Sequence, residues 1–566
     1  MHTRRTHASG DRRTLPTVLR RAQHPHRHRA LESLGDRLGI VATAIIHDDQ
    51  LRLTGDGGNG ATGLGERVRQ ALALVVGRRF RTGSQWQPDG VHFPTPVILL
   101  AQLLVSLACL ALVGGPGTAR ADDTQRPNFI VIYADDLGWR DTGHTGSDFY
   151  RTPHIDGLAR AGITFTNAYA AAATCAPSRA ALLSGRYPAA IGYYGFAGLT
   201  LPVARLRVRP KPGTPEYAAD DVTIAHALRD AGYQTGMIGK WQLGKKPRTA
   251  PTARGFTFTH VIDPKASPAP DAGPKHIDEI TRVAGEFIAK NREHPFFLYV
   301  SHLAVHTPVE ARPETTEKWR KRPPGKQHRH ATFAAMIEAL DDSVGAILAA
   351  LEEHGLTGRT LVLFTSDNGG MPSSPQTPLR SFKGSYYEGG IRVPFFARWP
   401  AVIAPGRTSD VPINQIDVFP TLLAAAGAPS PAGKSLDGVS LLPILEGRGG
   451  IDRPTLFWHA PVYTGAGGRS HRSGPLPGKP VSVIRKGDWK LLLFHDRWSL
   501  DGGRDRLDAN GAVELYDLSV HLDECCDQSK TRVEKREDLL DDLLQWIEQT
   551  GAPIADVPNP AYRAPD

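Results

Sequence analysis

From residue 128 onward the chain alternates short apolar, β-branched runs with longer segments of helical periodicity. NFIVIYADD (128–136), QTGMIGKWQLG (234–244), HPFFLYVSHLAVHTP (294–308) and TLVLFTSDNGG (360–370) are the apolar runs. DDVTIAHALRDAG (220–232) and TFAAMIEALDDSVGAILAALEEHG (332–355) carry the helical pattern, the second closing on a glycine stop. A strand that is apolar on both sides has to be covered on both faces, which is the condition of a parallel sheet between helices. The pattern predicts an α/β fold with a large, mostly parallel sheet flanked by helices. After about residue 450 the texture changes. VSVIRKGDWKLLLFHD (481–496) and VELYDLS (513–519) predict short antiparallel strands, and KREDLLDDLLQWIEQTG (535–551) an amphipathic terminal helix. A main domain over 126–450 and a smaller sheet-plus-helix subdomain over 451–566 are expected.

Two of the predicted strands end in hard oxygen donors, Asp135 and Asp136 after the first and Asp367 and Asn368 after the last. In open α/β sheets ligands bind outside the carboxyl ends of the strands. An all-oxygen donor set suits Ca²⁺ or Mg²⁺ and excludes a structural zinc site. DD and DNG are also ordinary turn formers, and it is their position behind two strands together with the cysteine motif at 174–188 that favours the metal reading. The remaining two runs end at Lys240 and approach His306.

The formal net charge of +9 invites a nucleic-acid reading, which its distribution excludes. Residues 1–121 hold 16 Lys and Arg against 8 Asp and Glu, and the remainder 51 against 50. A near-neutral body behind a basic leader has no electrostatic footprint for nucleic acid. PVILLAQLLVSLACLALVGG (96–115) is an uncharged apolar run followed by small residues at Ala119 and Ala121. That flank predicts a secretory signal peptide over 96–121 with a mature start near Asp122, hence a periplasmic or secreted protein. The run is also long enough to stay in a bilayer as an anchor. Since such signals begin a chain, the motif-free basic segment 1–95 is expected to lie upstream of the true translation start.

Only Cys109, Cys175, Cys525 and Cys526 are present, too few for a disulfide framework. Cys525 and Cys526 are neighbours, with Cα atoms about 3.8 Å apart, and are expected as reduced thiols without a catalytic role. Cys175 opens TCAPSRAALLSGRYP (174–188), where Pro177 suits a first helical turn and Gly185 a helix stop. A cysteine at a helix N-terminus faces unpaired N–H groups, and Arg179 lies in reach of the same anion. The position suits either a low-pKa thiolate nucleophile or a group that holds an anionic substrate.

CAPSRAALLSGR resembles the type I sulfatase signature C-x-P-S-R-x-x-x-L-x-x-G-R, whose cysteine is oxidised after translation to formylglycine. The likeness runs through VIYADDLGW, GKWQLG, HTP, FTSDNGG, FKGSYYEGGIRVP, LYDL and PNPAY in family order, over about 126–561. It implies the arylsulfatase-like branch of the alkaline phosphatase superfamily. It also implies an exported sulfuric ester hydrolase acting on a sulfated carbohydrate or aryl sulfate, matured by a formylglycine-generating enzyme. A serine would attack sulfate and be left as a stable ester. A hydrated aldehyde attacks with one hydroxyl and expels sulfate when the other loses its proton.

Carried over by the same resemblance, Asp135, Asp136, Asp367 and Asn368 hold one Ca²⁺, which also contacts the formylglycine made from Cys175. Lys240, Lys383 and Arg179 bind sulfate, and His306 contacts sulfate or protonates the leaving oxygen. The family motif G-K-W-H-L-G reads GKWQLG here, with Gln242 in place of a histidine. Gln242 can orient the hydrate but cannot take its proton. Ser381 and Phe382 stand where Gly-Gly often precedes the lysine. Two alternatives remain open: a formylglycine-dependent phosphate or phosphonate ester hydrolase, and, suggested by Gln242, a non-catalytic sulfated-glycan-binding relative. Substrate choice is expected to reside in the loops 192–219, 263–275 and 461–479.

Overall fold

The computed structural model describes residues 126–564, apart from 195–202, 212, 215, 219–220, 454 and 465–477. It also describes a separate backbone hairpin pairing Thr43–His47 with Gln50–Thr54. The rest of the basic segment, the expected signal region, most of the 461–479 loop and part of the 192–219 loop lie outside the described residues. Among the described residues no helix is long and apolar enough to cross a membrane.

Eight strands form the main sheet: β1 (Asn128–Ala134), β2 (Ile163–Phe165), β3 (Gln234–Gly239), β4 (Phe258–Val261), β5 (Phe296–Ser301), β6 (Thr360–Ser366), β7 (Phe395–Arg398) and β8 (Arg407–Ser409). Their spatial order is β8-β2-β7-β6-β1-β5-β3-β4. β6, β1, β5, β3 and β4 run parallel, as the apolar runs predict. β7 is antiparallel to both of its neighbours, which makes the sheet mixed.

The pleat of β1 sends Ile130, Ile132 and Ala134 into one apolar layer and Phe129, Val131 and Tyr133 into the other. Helices α1 (Pro153–Arg160), α2 (Cys175–Ser184), α3 (Ile224–Asp230), α4 (Ile277–Lys290), α5 (Ala331–Glu353) and α6 (Val418–Ala426) cover the two faces. α1, α4 and α5 supply the first layer, and α2, α3 and α6 the second.

A second sheet is antiparallel throughout, in the order β9 (Thr455–Ala460), β10 (Val481–Lys486), β11 (Trp489–Phe494) and β12 (Val513–Asp517). Helix α7 (Val533–Thr550) lays Leu539, Leu540, Leu543 and Ile547 against it. Tyr386 and Tyr387, from the loop carrying Lys383, join this cluster. Lys490 of β11 is fully buried between Glu388 Oε1 at 2.8 Å and Glu524 Oε1 at 2.9 Å. The other oxygen of Glu524 accepts the backbone N–H of Glu388 at 2.7 Å. A buried charge is tolerated only with its partners in place, so this cluster ties the small sheet to the loop beside Lys383.

The terminal tail docks through two buried histidines. Ser482 Oγ lies 2.8 Å from both His459 Nδ1 and His495 Nε2, while Ala555 N–H donates to His495 Nδ1 at 3.2 Å and His459 Nε2 donates to Pro553 O at 3.1 Å. Every ring nitrogen is used, and both rings are neutral. Burial draws His459 down from 6.5 to about 4, and burial with the neighbouring His459 draws His495 well below its ordinary value. The unfolded chain therefore takes up these protons first as the pH falls, and the stability present above pH 6.5 is lost on the way to 4. For His459 alone the gap corresponds to about 3 kcal/mol. His459→Gln is expected to flatten the dependence of the urea midpoint between pH 7 and 4.5. Equal slopes in the two proteins would reject the assignment.

Candidate active site

The four strands whose ends carry the predicted residues, β6, β1, β5 and β3, are consecutive neighbours. Asp367 and Asn368 leave β6, Asp135 and Asp136 leave β1, the segment ending in His306 leaves β5, and Lys240 leaves β3. All reach one edge of the sheet.

Helix α2 delivers Cys175 to that edge as its first residue. Its cap, Thr174, is extended and makes no side-chain hydrogen bond, and Gly185 closes the helix at φ 67°. All ten residues of α2 are buried, so apolar packing on α6 and β1 holds its start in place. Cys175 Sγ lies 3.8 Å from Asp136 Oδ1. Burial, then the neighbouring Asp367, pushes the thiol well above the usual range. That direction runs against a low-pKa thiolate in the unmodified side chain. The helix N-terminus and nearby cations do not outweigh the lost hydration.

Asp136 is the hub. It receives Asn368 Nδ2 at 2.8 Å and Lys383 Nζ at 2.7 Å, with His306 Nε2 at 3.6 Å. Its own N–H donates to Asp367 Oδ1 at 3.0 Å, an approach made possible by its left-handed φ of 65°. Asp135 pairs with Lys240 Nζ at 2.6 Å. Burial works against ionisation of Asp135, but the Lys240 ammonium, together with His306 and Arg179, outweighs it and holds the carboxyl at about 2. Asp367 is pushed up by burial and by Asp135. Burial opposes the charges of Lys240 and Lys383, yet the anions around them keep both above the ordinary lysine value.

Asp135, Asp136, Cys175 and His306 each bring a ligand atom within 4.8 Å of the others. Asp367 and Asn368 join through their bonds to Asp136. Two buried oxygens here, Asp135 Oδ1 and Asn368 Oδ1, accept no hydrogen bond. Carboxylate and amide oxygens with unfilled lone pairs, next to carboxylates that repel one another, fit a hard divalent cation.

Arg179 is fully buried. Its fork is engaged by the protein: Nε and Nη2 go to Asp367 Oδ2 at 3.2 and 2.6 Å, and Nη1 to Lys240 O at 3.3 Å and to Ser301 Oγ. The guanidinium braces the carboxylate edge. Gln242 sits at φ 63° with its Oε1 buried and without a hydrogen bond. Ser381 holds φ 66°, a conformation a glycine would take without strain.

Sequence reasoning missed Ser301 and Lys275. Ser301 ends β5, accepts from Arg179 and donates to Lys240 O at 2.7 Å. An apolar strand closing in serine carries no separate signal. Lys275 is nearly buried at φ 58°, close enough for Asp135 and Lys240 to act on its charge. Its loop is one of the three expected to govern specificity. His260 and His294 stand apart from the site, His260 pairing with Glu279 at 2.8 Å.

A fold of this kind, with a buried cysteine at a helix start among three carboxylates, two lysines and an arginine, defines a hydrolase of anionic esters. The Sulfatase family model matches residues 127–428, and the chain belongs to this family of formylglycine-type sulfuric ester hydrolases in the alkaline phosphatase superfamily. A second model, N-sulphoglucosamine sulphohydrolase, C-terminal, matches residues 382–505. Human arylsulfatase A is 33% identical over 468 residues, covering 72% of this chain and 84% of the relative. Human N-acetylgalactosamine-6-sulfatase is 31% identical over 394 residues, with 63% and 73% covered. The crystal structure of Ps i-CgsB in complex with k-i-k-neocarrahexaose is similar at a TM-score of 0.61 and 28% identity, covering 77% of this chain and 95% of that one.

Proposed function

We propose that the protein is an exported carbohydrate sulfatase in which Cys175 is converted to formylglycine and Asp135, Asp136, Asp367 and Asn368 hold Ca²⁺. The observation that carries this reading is the meeting of Cys175 with Asp136, Lys383 and His306 at adjoining strand ends. Similar proteins support the substrate class, one named an N-acetylgalactosamine-6-sulfatase and one crystallised with a neocarrahexaose. The apolar run at 96–115 and its small-residue flank support export by a signal peptide. Conversion of Cys175 calls for a formylglycine-generating enzyme as a maturation partner.

When formed, the formylglycine supplies a geminal diol as nucleophile, and the cation lowers the cost of gathering negative charge around it. The chain's own residues do the rest. Lys240 and Lys383 carry fixed positive charge, aimed where the sulfuryl oxygens gather charge. Gln242 orients a hydroxyl through its unpaired Oε1. His306 is about one-third exposed, its Nε2 lies 3.6 Å from Asp136 Oδ2 and faces the leaving oxygen as its proton donor, while Nδ1 lies 2.6 Å from Thr307 O.

A sugar alkoxide needs that proton, whereas nitrophenolate leaves without it. His306→Ala is therefore expected to lower kcat/KM on a sugar sulfate more than on nitrophenyl sulfate, by up to roughly 10²- to 10³-fold. Equal losses would reject the acid role. A larger loss in Lys383→Ala on the sugar sulfate alone would move it to the lysine. Parallel assays on aryl sulfate and the matching aryl phosphate test the ester class, and peptide mass spectrometry across Cys175 tests conversion.

Gln242→His would place a titratable base where the amide now sits, and histidine is among the residues that tolerate positive φ. The variant is expected to fold and to shrink the pre-steady-state burst by speeding sulfate release, by up to about 10²-fold. A loss of that size would instead assign the amide a role of its own.

A further inference from the structure

Away from the active site, His521, Cys525 and Cys526 bring three soft or borderline ligand atoms within 4.8 Å of one another. Cys525 Sγ is 3.5 Å from His521 Nδ1 and 2.6 Å from Cys526 Sγ, and both thiols are free and exposed. The turn that carries them is fixed at both ends. On the near side His521 N–H donates to Asp517 O at 2.9 Å, at the end of β12, and Glu524 N–H donates to His521 O at 3.0 Å. These bonds fold residue 521 back onto 525. Glu524 takes a left-handed φ of 49° and is fully buried, its carboxylate locked on Lys490 and on the N–H of Glu388. On the far side Asp527 Oδ1 accepts from Leu515 N–H at 3.0 Å and from Ser529 N–H at 2.8 Å, and Gln528 N–H donates to Leu515 O at 2.8 Å. The backbone under the three ligands is therefore held by β12 and by a buried ion pair, the rigid support that a metal site needs.

Two thiols and an imidazole select the opposite cations from the oxygen donors at the sheet edge. They suit Zn²⁺, Cd²⁺ or Cu⁺ and disfavour Ca²⁺ and Mg²⁺. We propose that His521 Nδ1, Cys525 Sγ and Cys526 Sγ bind one thiophilic cation of the zinc class, with a fourth position open to solvent. Binding is ligand exchange: two S–H bonds break, two thiolate–metal bonds form, both protons leave to water, and nothing is oxidised. Glu524, the residue before Cys525, links this site to Glu388 and the loop beside Lys383.

The test uses the full chain, reduced, freed of metal and kept in excess Ca²⁺, titrated with Cd²⁺ and read by the ultraviolet sulfur-to-cadmium charge-transfer band. Zn²⁺ is then added in competition with a chromophoric chelator. The band excludes ions bound only by the histidines of HPHRHR (24–29). One equivalent is expected to saturate it. Cys525→Ser, Cys526→Ser and His521→Ala are each expected to weaken uptake by about a hundredfold or more, beyond what loss of an outer hydrogen-bond partner costs. All three should keep wild-type sulfatase turnover and metal-free thermal unfolding. Equal uptake by wild type and variants would overturn the proposal. So would a reduced protein that returns to a species two hydrogens lighter and takes up no metal, which would mean a disulfide between the neighbours.

Discussion

Cys175→Ser is expected to end multiple turnover, with kcat lower by about 10⁴- to 10⁶-fold, the scale of losing a covalent nucleophile. The fold should survive. Cys175 sits at the first turn of a helix held by apolar packing, and its Sγ makes one long contact, 3.8 Å to Asp136 Oδ1. A serine hydroxyl fits the same space and finds the same carboxylate. The chemistry does not survive. A serine can accept the sulfuryl group but has no second hydroxyl whose deprotonation would expel it. Mass spectrometry of the variant after incubation with nitrophenyl sulfate is expected to show a peptide spanning residue 175 heavier by one SO₃. Near-wild-type turnover would overturn the formylglycine assignment. A simple loss of thiol acidity would not explain the predicted defect, because burial already holds the unmodified thiol in its neutral form.

Arg179→Met is expected to lower the unfolding free energy by about 3–5 kcal/mol, because it strands a buried carboxylate. Asp367 Oδ2 takes two donors from the guanidinium, while Nη1 serves Ser301 Oγ and Lys240 O, and the group lies over the Tyr133 ring at 5.2 Å. Three hydrogen-bonding residues at three strand ends, and the Tyr133 ring on a fourth strand, depend on one planar fork. Arg179→Lys restores the charge but not the fork, so it should recover part of the stability and little of the activity. Loss of that brace displaces Asp367 and Lys240 together, and turnover is expected to fall by about 10²- to 10³-fold in both variants, the scale of losing one electrostatic contact to the transition state. Urea unfolding and kcat on nitrophenyl sulfate, measured on the three proteins, decide it. A lysine variant equal to wild type in both would show the fork to be dispensable.

The ends of β1, β3, β5 and β6 and the start of α2 were all legible in the sequence, because an apolar run broken by charged or turn-forming residues is a local signal. The antiparallel β7 was not. FFAR offers four residues with no direction written in them, and only pairing with Thr365 to Val362 on one side and with β2 on the other orients the strand. Cys175, Lys240, Lys383 and His306 could be picked out one by one from their motifs. Ser301 and Lys275 could not, since their importance lies in what stands beside them.

The sequence by itself determined the four strands whose ends carry the site, which residues carry ligand atoms, and that those atoms are oxygens at one place and sulfurs at another, because side-chain chemistry and hydrophobic period belong to the chain. The tertiary structure decided that β6, β1, β5 and β3 are neighbours, that Arg179 turns inward to Asp367, and that burial raises the Cys175 thiol. Strand order, burial and charge pairing arise from contacts between residues up to hundreds of positions apart, and Arg179 with Asp367, 188 apart, is the plainest case.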